Sequence, residues 1–486
     1  MRNKTSLSLL TDLYQLTMSY GYFKNNYHNT VSTFHLFFRK TPFQGNYAIA
    51  CGLSDVTEIL ENFKFNTEDI EYLAKLEGND GKGLFDNDFL NYLEQLEFSC
   101  DVDAVCEGEV VFAHQPLLRI TGPIIQCQIL ETILLNVINF QTLIATKASR
   151  LVESSNGDPI LEFGLRRAQG IDGALSASRS SYIGGVDSTS NVLAGKLFDI
   201  PVKGTHAHSW VMSFPNELEA FELYAKVMPN NCVFLVDTFD SIEGIKNAIT
   251  MAHKLKERGH SLIGIRLDSG DLTQISISAR KMLDDEGLYD AKIIASNDLD
   301  EYEIERLKEL GAKIDIWGVG TKLVSAYDQP ALGGVYKLGA IHTSKGIDYK
   351  LKISNDIIKI SNPGILQIKR FYENGFPIAD MIYDLNHNSK IETPIGSLIN
   401  GEKFRPDSFK NLTSKDLLLP IFKNGVKVLD QFKKIQEIRQ YKIESLTKFN
   451  SEIRSNKKTN TPYPILLEKS LHELKDKIIT NIKKGI

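Results

Sequence analysis

Three observations predict an α/β fold: an incomplete α/β barrel with an N-terminal α+β layer domain and a C-terminal extension. Short apolar runs alternate with helical stretches through the middle third of the 486 residues, at the spacing of βα units. The runs lack polar alternation, as strands buried on both faces do. Their C-terminal ends carry the chain's unusual residues. A ring of parallel strands brings all such ends to one mouth, whereas an open sheet uses mainly its switch point.

The runs are residues 159–164 (PILEFG), 182–187 (YIGGVD), 202–208 (VKGTHAH), 232–238 (CVFLVDT), 262–269 (LIGIRLDS), 292–297 (KIIASN) and 314–320 (IDIWGVG). Helical patterns fill 216–227, 241–258, 272–286 and 299–310. Ser241 with Glu243, and Asp298 with Glu301, supply capping chemistry at helix starts. Gly259, Gly287 and Gly311 stand where left-handed C-caps are needed. Only these runs are clear, so the expected barrel is incomplete.

Residues 1–120 follow an α+β pattern, with strands at 32–39, 47–51 and 102–105 and helices near 10–22 and 53–63. Strand-like pieces at 333–338 and 364–370 suggest a return to that layer. The stretch 426–486 is lysine-rich and partly helical, and its charge reads as a solvated face. The expected domains are 1–130, 131–340 and 341–486.

A hydrophobic content of 42% and a charged content of 24% are those of a globular protein. The net charge of -5 gives no footprint for nucleic acid, so positive charge for an anionic ligand must be gathered locally. Five scattered cysteines without a CxxC spacing fit a reducing compartment, and a cytoplasmic location is expected. The opening MRNKTSLSLLTD breaks into polar residues before a signal-peptide core forms. Residues 116–140, interrupted by Arg119, Gln126, Gln128 and Glu131, read as a buried amphipathic helix rather than a membrane span.

Four clusters carry chemistry. In DIWGVGTKL, Gly318, Gly320 and Thr321 form a glycine turn with a hydroxyl, suited to an anion or to a tight strand-to-helix turn. In EFGLRRAQG, Arg166 and Arg167 offer forked donors for carboxylate or phosphate, or ordinary surface salt bridges. His206 and His208 share a face if their strand continues. A metal pair, a catalytic histidine and two hydrogen-bonded core histidines all remain open there. Asp237-Thr238 and the run Arg266 to Asp271 (RLDSGD) place carboxylates beside an arginine. These suit Mg²⁺, ribose hydroxyls or a cationic sugar, or alternatively helix caps by Asp268 or Ser269.

Taken in order, TDLYQLTM from Thr11, Phe38-Arg39-Lys40, EFGLRRAQG, GTHAHSW, GIRLDSGDL, WGVGTKL and LGGVYKL resemble the nicotinate phosphoribosyltransferase family over at least residues 10–340. The resemblance implies a type II phosphoribosyltransferase fold and a homodimer with active sites near the subunit interface. It implies a reaction of nicotinate with phosphoribosyl pyrophosphate, coupled to ATP hydrolysis and accompanied by Mg²⁺. By the same resemblance Tyr14 stacks on the pyridine ring, while Thr205 and Arg266 hold nicotinate or its carboxylate. His208 is phosphorylated by ATP, and Asp237 and Asp268 manage ribose and metal charge. Gly318, Gly320 and Thr321 hold phosphate. Arg166 and Ser296 join the substrate-binding set, and Asp268 and Asp271 the metal set. The alternatives are nicotinamide phosphoribosyltransferase, whose opening motif has DSYK in place of DLYQ, and a non-catalytic barrel protein serving interactions. Quinolinate phosphoribosyltransferase, a shorter chain without the phosphorylated histidine, fits less well.

Overall fold

The computed structural model describes residues 7–354, 360–387, 391, 393–398, 403–404, 411–429 and 434–484. The chain forms two compact units, one of residues 1–143 with 331–486 and the other of residues 144–330. The limits expected from the sequence are 130/131 and 340/341.

The second unit is a six-stranded sheet made of β1 (Ile160–Glu162), β2 (Ser188–Thr189), β3 (Val233–Leu235), β4 (Gly264–Leu267), β5 (Lys292–Ala295) and β6 (Ile316–Val319), in the order β2-β1-β6-β5-β4-β3. Every pairing is parallel. The first strand lies beside the last, with Ile160 opposite Trp317. The fold is mixed α/β with several sheets, and among the described residues this one does not close, β2 and β3 being its two edges.

Two of the strand expectations require correction. Tyr182 and Ile183 are buried residues ending the helix Gly170–Ile183, and β2 starts only at Ser188 after a turn through Gly185 at φ +112°. Residues 202–208 make one parallel bridge, Val202 to Thr189, and then leave the sheet, with a helix starting at His208. His206 and His208 therefore do not share a strand face. The helix caps also differ, because Asp240, Asp271 and Asp300 accept from the N–H groups of Glu243, Gln274 and Glu303. Ser241 is already helical, and Asp298 sits at φ +45°. Each cap is the aspartate immediately before the first helical residue, the position from which a side chain reaches the third free N–H. Gly259, Gly287 and Gly311 are left-handed, at φ +79°, +71° and +81°.

In the first unit Val31–Phe38 pairs antiparallel with Leu118–Pro123 on one side and Gly334–Thr343 on the other. This forms part of a seven-stranded sheet, and Leu366–Glu373 and Phe376–Asp384 form a hairpin in another. Residues 116–140 are not one helix. They hold the strand Leu118–Pro123, the helix Ile124–Ile129 and the start of the helix Glu131–Ser155. No helix among the described residues is long and apolar enough to cross a membrane. The lysine-rich tail forms the helices Ile435–Thr447 and Lys469–Lys484, while residues 430–433 and 485–486 lie outside the described set.

Two buried titratable groups give this unit an acid-sensitive core. Burial, aided by the Arg119 charge, pushes His35 down to about 3, and its Nε2 accepts from the Leu366 N–H as a neutral ring must. Burial raises Glu109, but the charges of Arg370 and Lys415 outweigh it and hold the carboxyl at about 2. An unfolded histidine binds a proton below about pH 6.5 that folded His35 refuses, so stability falls from there downward. Glu109 adds a second loss as pH falls from about 4.5 towards 2. The urea midpoint is therefore expected to drop between about pH 7 and about pH 5. A flat midpoint across that range would count against the buried neutral histidine.

Candidate functional site

The C-terminal ends of the parallel strands meet around Arg266, which lies on β4 and is 14% exposed in its side chain. Its Nε donates to Ser296 Oγ at 2.9 Å, Nη1 to Thr205 Oγ1 at 3.1 Å and Nη2 to Asp268 Oδ1 at 3.1 Å. Ser296 Oγ also donates to Asp268 Oδ1. The guanidinium lies 5.5 Å above the ring of Phe163, just past β1. Residues as far as 61 positions from Arg266 in sequence thus converge on one charged group, and its planar fork is what allows contacts in three directions.

Asp237, just beyond β3, accepts from the Asp268 N–H at 2.8 Å and from Ser269 Oγ at 2.6 Å through Oδ2. Its Oδ1 is buried without a hydrogen-bond partner. His208 lies between the two carboxylates, with Nε2 3.6 Å from Asp268 Oδ2 and 4.0 Å from Asp237 Oδ1. Its Nδ1 is 3.1 Å from Thr238 Oγ1. The ring is 39% exposed, so it remains open to an incoming group. Beside it is a cavity of about 270 Å³ lined by Phe163, Arg166, Ser190, Thr205, His206 and Arg266, among others. The lining holds two arginines and no carboxylate, which favours a small aromatic acid over a cation.

The sequence-predicted residues divide accordingly. Thr205, His208, Asp237, Arg266, Asp268 and Ser296 form one bonded cluster, and Arg166 lines the cavity next to it. Asp271 caps the helix Leu272–Asp285 and takes no part in the cluster. Tyr14 is half-exposed on the helix Leu13–Lys24 of the first unit. Thr321 opens a single helical turn after Gly320.

Gly318 and Gly320 are absent from the left-handed region, so φ does not explain them. Close approach does. A Cβ on Gly318 would come within 2.8 Å of the Phe163 ring, and one on Gly320 within 3.3 Å of the Phe163 carbonyl. Gly318→Ala is expected to displace that ring from under Arg266. The expected effects are a loss of roughly 1–3 kcal/mol in stability from overpacking and a several-fold rise in KM for a molecule docked in the cavity. Denaturation midpoints and steady-state kinetics would check both.

Sequence reasoning passed over Phe163 and Ser190. Phe163 was legible as an aromatic residue between a strand end and a glycine, inside a motif read for its arginines. Ser190 carried no signal. The first unit has a cationic grouping of its own. Burial lowers His114 to about 4 with help from Lys475 and Arg39, and lowers Lys337 with help from Arg39 and Lys352. Arg39 Nε is buried without a hydrogen-bond partner, and the Glu131 carboxylate offsets part of the positive charge at Lys337.

A parallel α/β sheet that gathers a guanidinium, two carboxylates and a histidine at its strand ends, beside a small aromatic cavity, defines an enzyme acting on small anionic substrates. Family models for nicotinate phosphoribosyltransferase match as the N-terminal domain over residues 9–139, the family region over 159–362 and the C-terminal domain over 366–475. Nicotinate phosphoribosyltransferase of Bacillus subtilis is 42% identical over 490 residues, covering 97% of each chain. The crystal structure of human nicotinic acid phosphoribosyltransferase superposes with a TM-score of 0.82 at 30% identity, over 96% of this chain and 99% of that one. A nicotinate-nucleotide pyrophosphorylase from Pyrococcus furiosus shares the fold, with a TM-score of 0.69 at 23% identity, over 92% and 97% of the two chains. The chain belongs to the nicotinate phosphoribosyltransferase family. It is an enzyme of NAD biosynthesis by salvage of nicotinate.

Proposed function

We propose that the second unit joins nicotinate to C1 of phosphoribosyl pyrophosphate, releasing pyrophosphate, with ATP hydrolysis coupled through a phosphohistidine at His208. The observation that carries this reading is the Arg266 cluster, which joins a carboxylate-binding guanidinium to two aspartates with an open imidazole 3.6 Å away. The pyridine ring lies in the cavity against Phe163. The carboxylate of nicotinate meets Arg266 and Thr205, with Arg166 at the cavity wall. The base is already deprotonated near neutral pH, so the protein's task is to orient it. As the bond to pyrophosphate lengthens, positive charge grows on the sugar, and Asp237 and Asp268 stabilise it. Thr321 and the glycine turn before it receive phosphate.

Mg²⁺ accompanies the phosphates in this reading and neutralises charge on the leaving group. Such an ion keeps several waters and takes one or two carboxylates plus phosphate oxygens. The unpartnered Oδ1 of Asp237 and, 3.6 Å from His208, Oδ2 of Asp268 fit that donor set, whereas Asp271 uses Oδ1 as a helix cap. No group of three or more metal-ligating side chains occurs among the described residues, in keeping with an ion held chiefly by substrate.

In the coupling step a neutral imidazole nitrogen of His208 bonds to the γ-phosphorus of ATP and ADP leaves. Water later breaks the N–P bond, returning phosphate and the free ring. We read the parallel sheet as a barrel interrupted between Val202 and β3, on the strength of the β1–β6 pairing. A homodimer completes the reading, as does a cytoplasmic setting, which the five free cysteines favour. Pyrophosphate release from phosphoribosyl pyrophosphate, measured with nicotinate and with nicotinamide, each with and without ATP, tests the proposal. Stronger turnover of the amide would overturn the choice of base.

A further inference from the structure

The parallel sheet of the second unit has a gap between β2 and β3, and the segment crossing it carries two site residues. Residues 201–203 extend the β2 edge, with Thr189 N–H donating to the Pro201 carbonyl and Lys203 N–H to the Thr189 carbonyl, both at 3.0 Å. The chain then leaves the ladder and passes Thr205, His206 and His208. On the far side of the gap the free edge of β3 exposes the Leu235 N–H, which no strand takes up. His206 Nε2 accepts it at 3.3 Å. The ring is 8% exposed and lies among Tyr224, Phe221 and Phe234, with centroids 5.1, 6.0 and 6.3 Å away. Its Nδ1 faces the Ala207 carbonyl at 3.4 Å, so the proton belongs on Nδ1 and the lone pair on Nε2.

We propose that His206 is a positioning residue, whose imidazole replaces the missing strand ladder across the opening of the sheet and so fixes Thr205 against Arg266 and His208 between Asp237 and Asp268. The assignment rests on the reading of the Arg266 cavity as the nicotinate site. A buried edge N–H without an acceptor is costly, and a loop crossing a gap has no backbone register of its own. One side-chain acceptor meets both needs. Because Thr205 immediately precedes His206 and His208 follows two residues on, a slip of the ring moves both.

His206→Phe keeps an aromatic ring in the box and removes the acceptor, whereas His206→Gln puts an amide oxygen at a similar reach. With the phenylalanine variant KM for nicotinate is expected to rise roughly tenfold, accounting for the larger share of the loss in kcat/KM. The glutamine variant should recover most of it. A wild-type KM in His206→Phe, or equal losses in both variants, would overturn the proposal. If the phenylalanine variant does not fold, nitrogen-15 NMR of imidazole-labelled wild type decides. A neutral His206 protonated on Nδ1 is expected, and a proton on Nε2 would end the assignment. None of these readouts uses ATP. A normal ATP response in His208→Ala would therefore remove the phosphohistidine reading without touching this one, while wild-type preference for nicotinate over nicotinamide in Arg266→Lys would remove the site reading itself.

Discussion

Arg266→Lys is expected to lower kcat/KM for nicotinate by roughly 10²- to 10³-fold, the scale of about 3–4 kcal/mol for breaking a largely buried, hydrogen-bonded charge pair. The guanidinium donates in three directions, to Ser296, Thr205 and Asp268, while lying over Phe163. An ammonium is a single point of charge and cannot hold that plane, so a substitution that keeps the charge still loses the geometry. Asp268 would also lose the Nη2 hydrogen bond that fixes its carboxylate beside Asp237, although the charge of the lysine remains. Nicotinamide has no carboxylate to lose, so the preference for the acid should shrink as well. Steady-state kinetics with both bases would measure this. A variant with wild-type selectivity would show that the acid is recognised elsewhere.

His208→Ala is expected to abolish stimulation by ATP while some ATP-free turnover survives. The imidazole places a nucleophilic nitrogen between Asp237 and Asp268, and its 39% exposure leaves room for a phosphoryl group. Thr205, Arg266 and Ser296 bind one another independently of it, so the base should still dock. The comparison is pyrophosphate release with and without ATP in both proteins, along with incorporation of label from γ-phosphate-labelled ATP. Equal ATP dependence in the two would refute the role assigned to His208.

The βα rhythm was legible because burial on both faces leaves an uninterrupted apolar run, and runs at 159–164, 232–238, 262–269, 292–297 and 314–320 each contain a strand. It failed where context outweighed pattern. Tyr182 and Ile183 are as apolar as any strand pair, yet the helix before them claims both for its buried face. Residues 202–208 carry β-compatible types, but after Val202 they have no neighbour strand to bond with, and a strand without a partner is not one. The caps were displaced by a residue or two because helix starts depend on which side chain reaches the third N–H.

Of the site, the residue types and their positions past strand ends were readable, and so was the order of motifs that identifies the family. By itself the sequence determined the α/β class, the family, and the chemistry available at each strand end, because strand periodicity and motif order are local properties of the chain. Tertiary structure alone decided which of those groups act together. It joined Thr205 to Arg266 and His208 to Asp268, made Asp271 Oδ1 a helix cap, and set the two histidines in different surroundings. It also showed that Gly318 and Gly320 make room for Phe163 instead of bending the backbone. The reason is physical: distance between side chains far apart in sequence is set by how strands order themselves in a sheet, and that order is a property of the whole packed unit rather than of any segment.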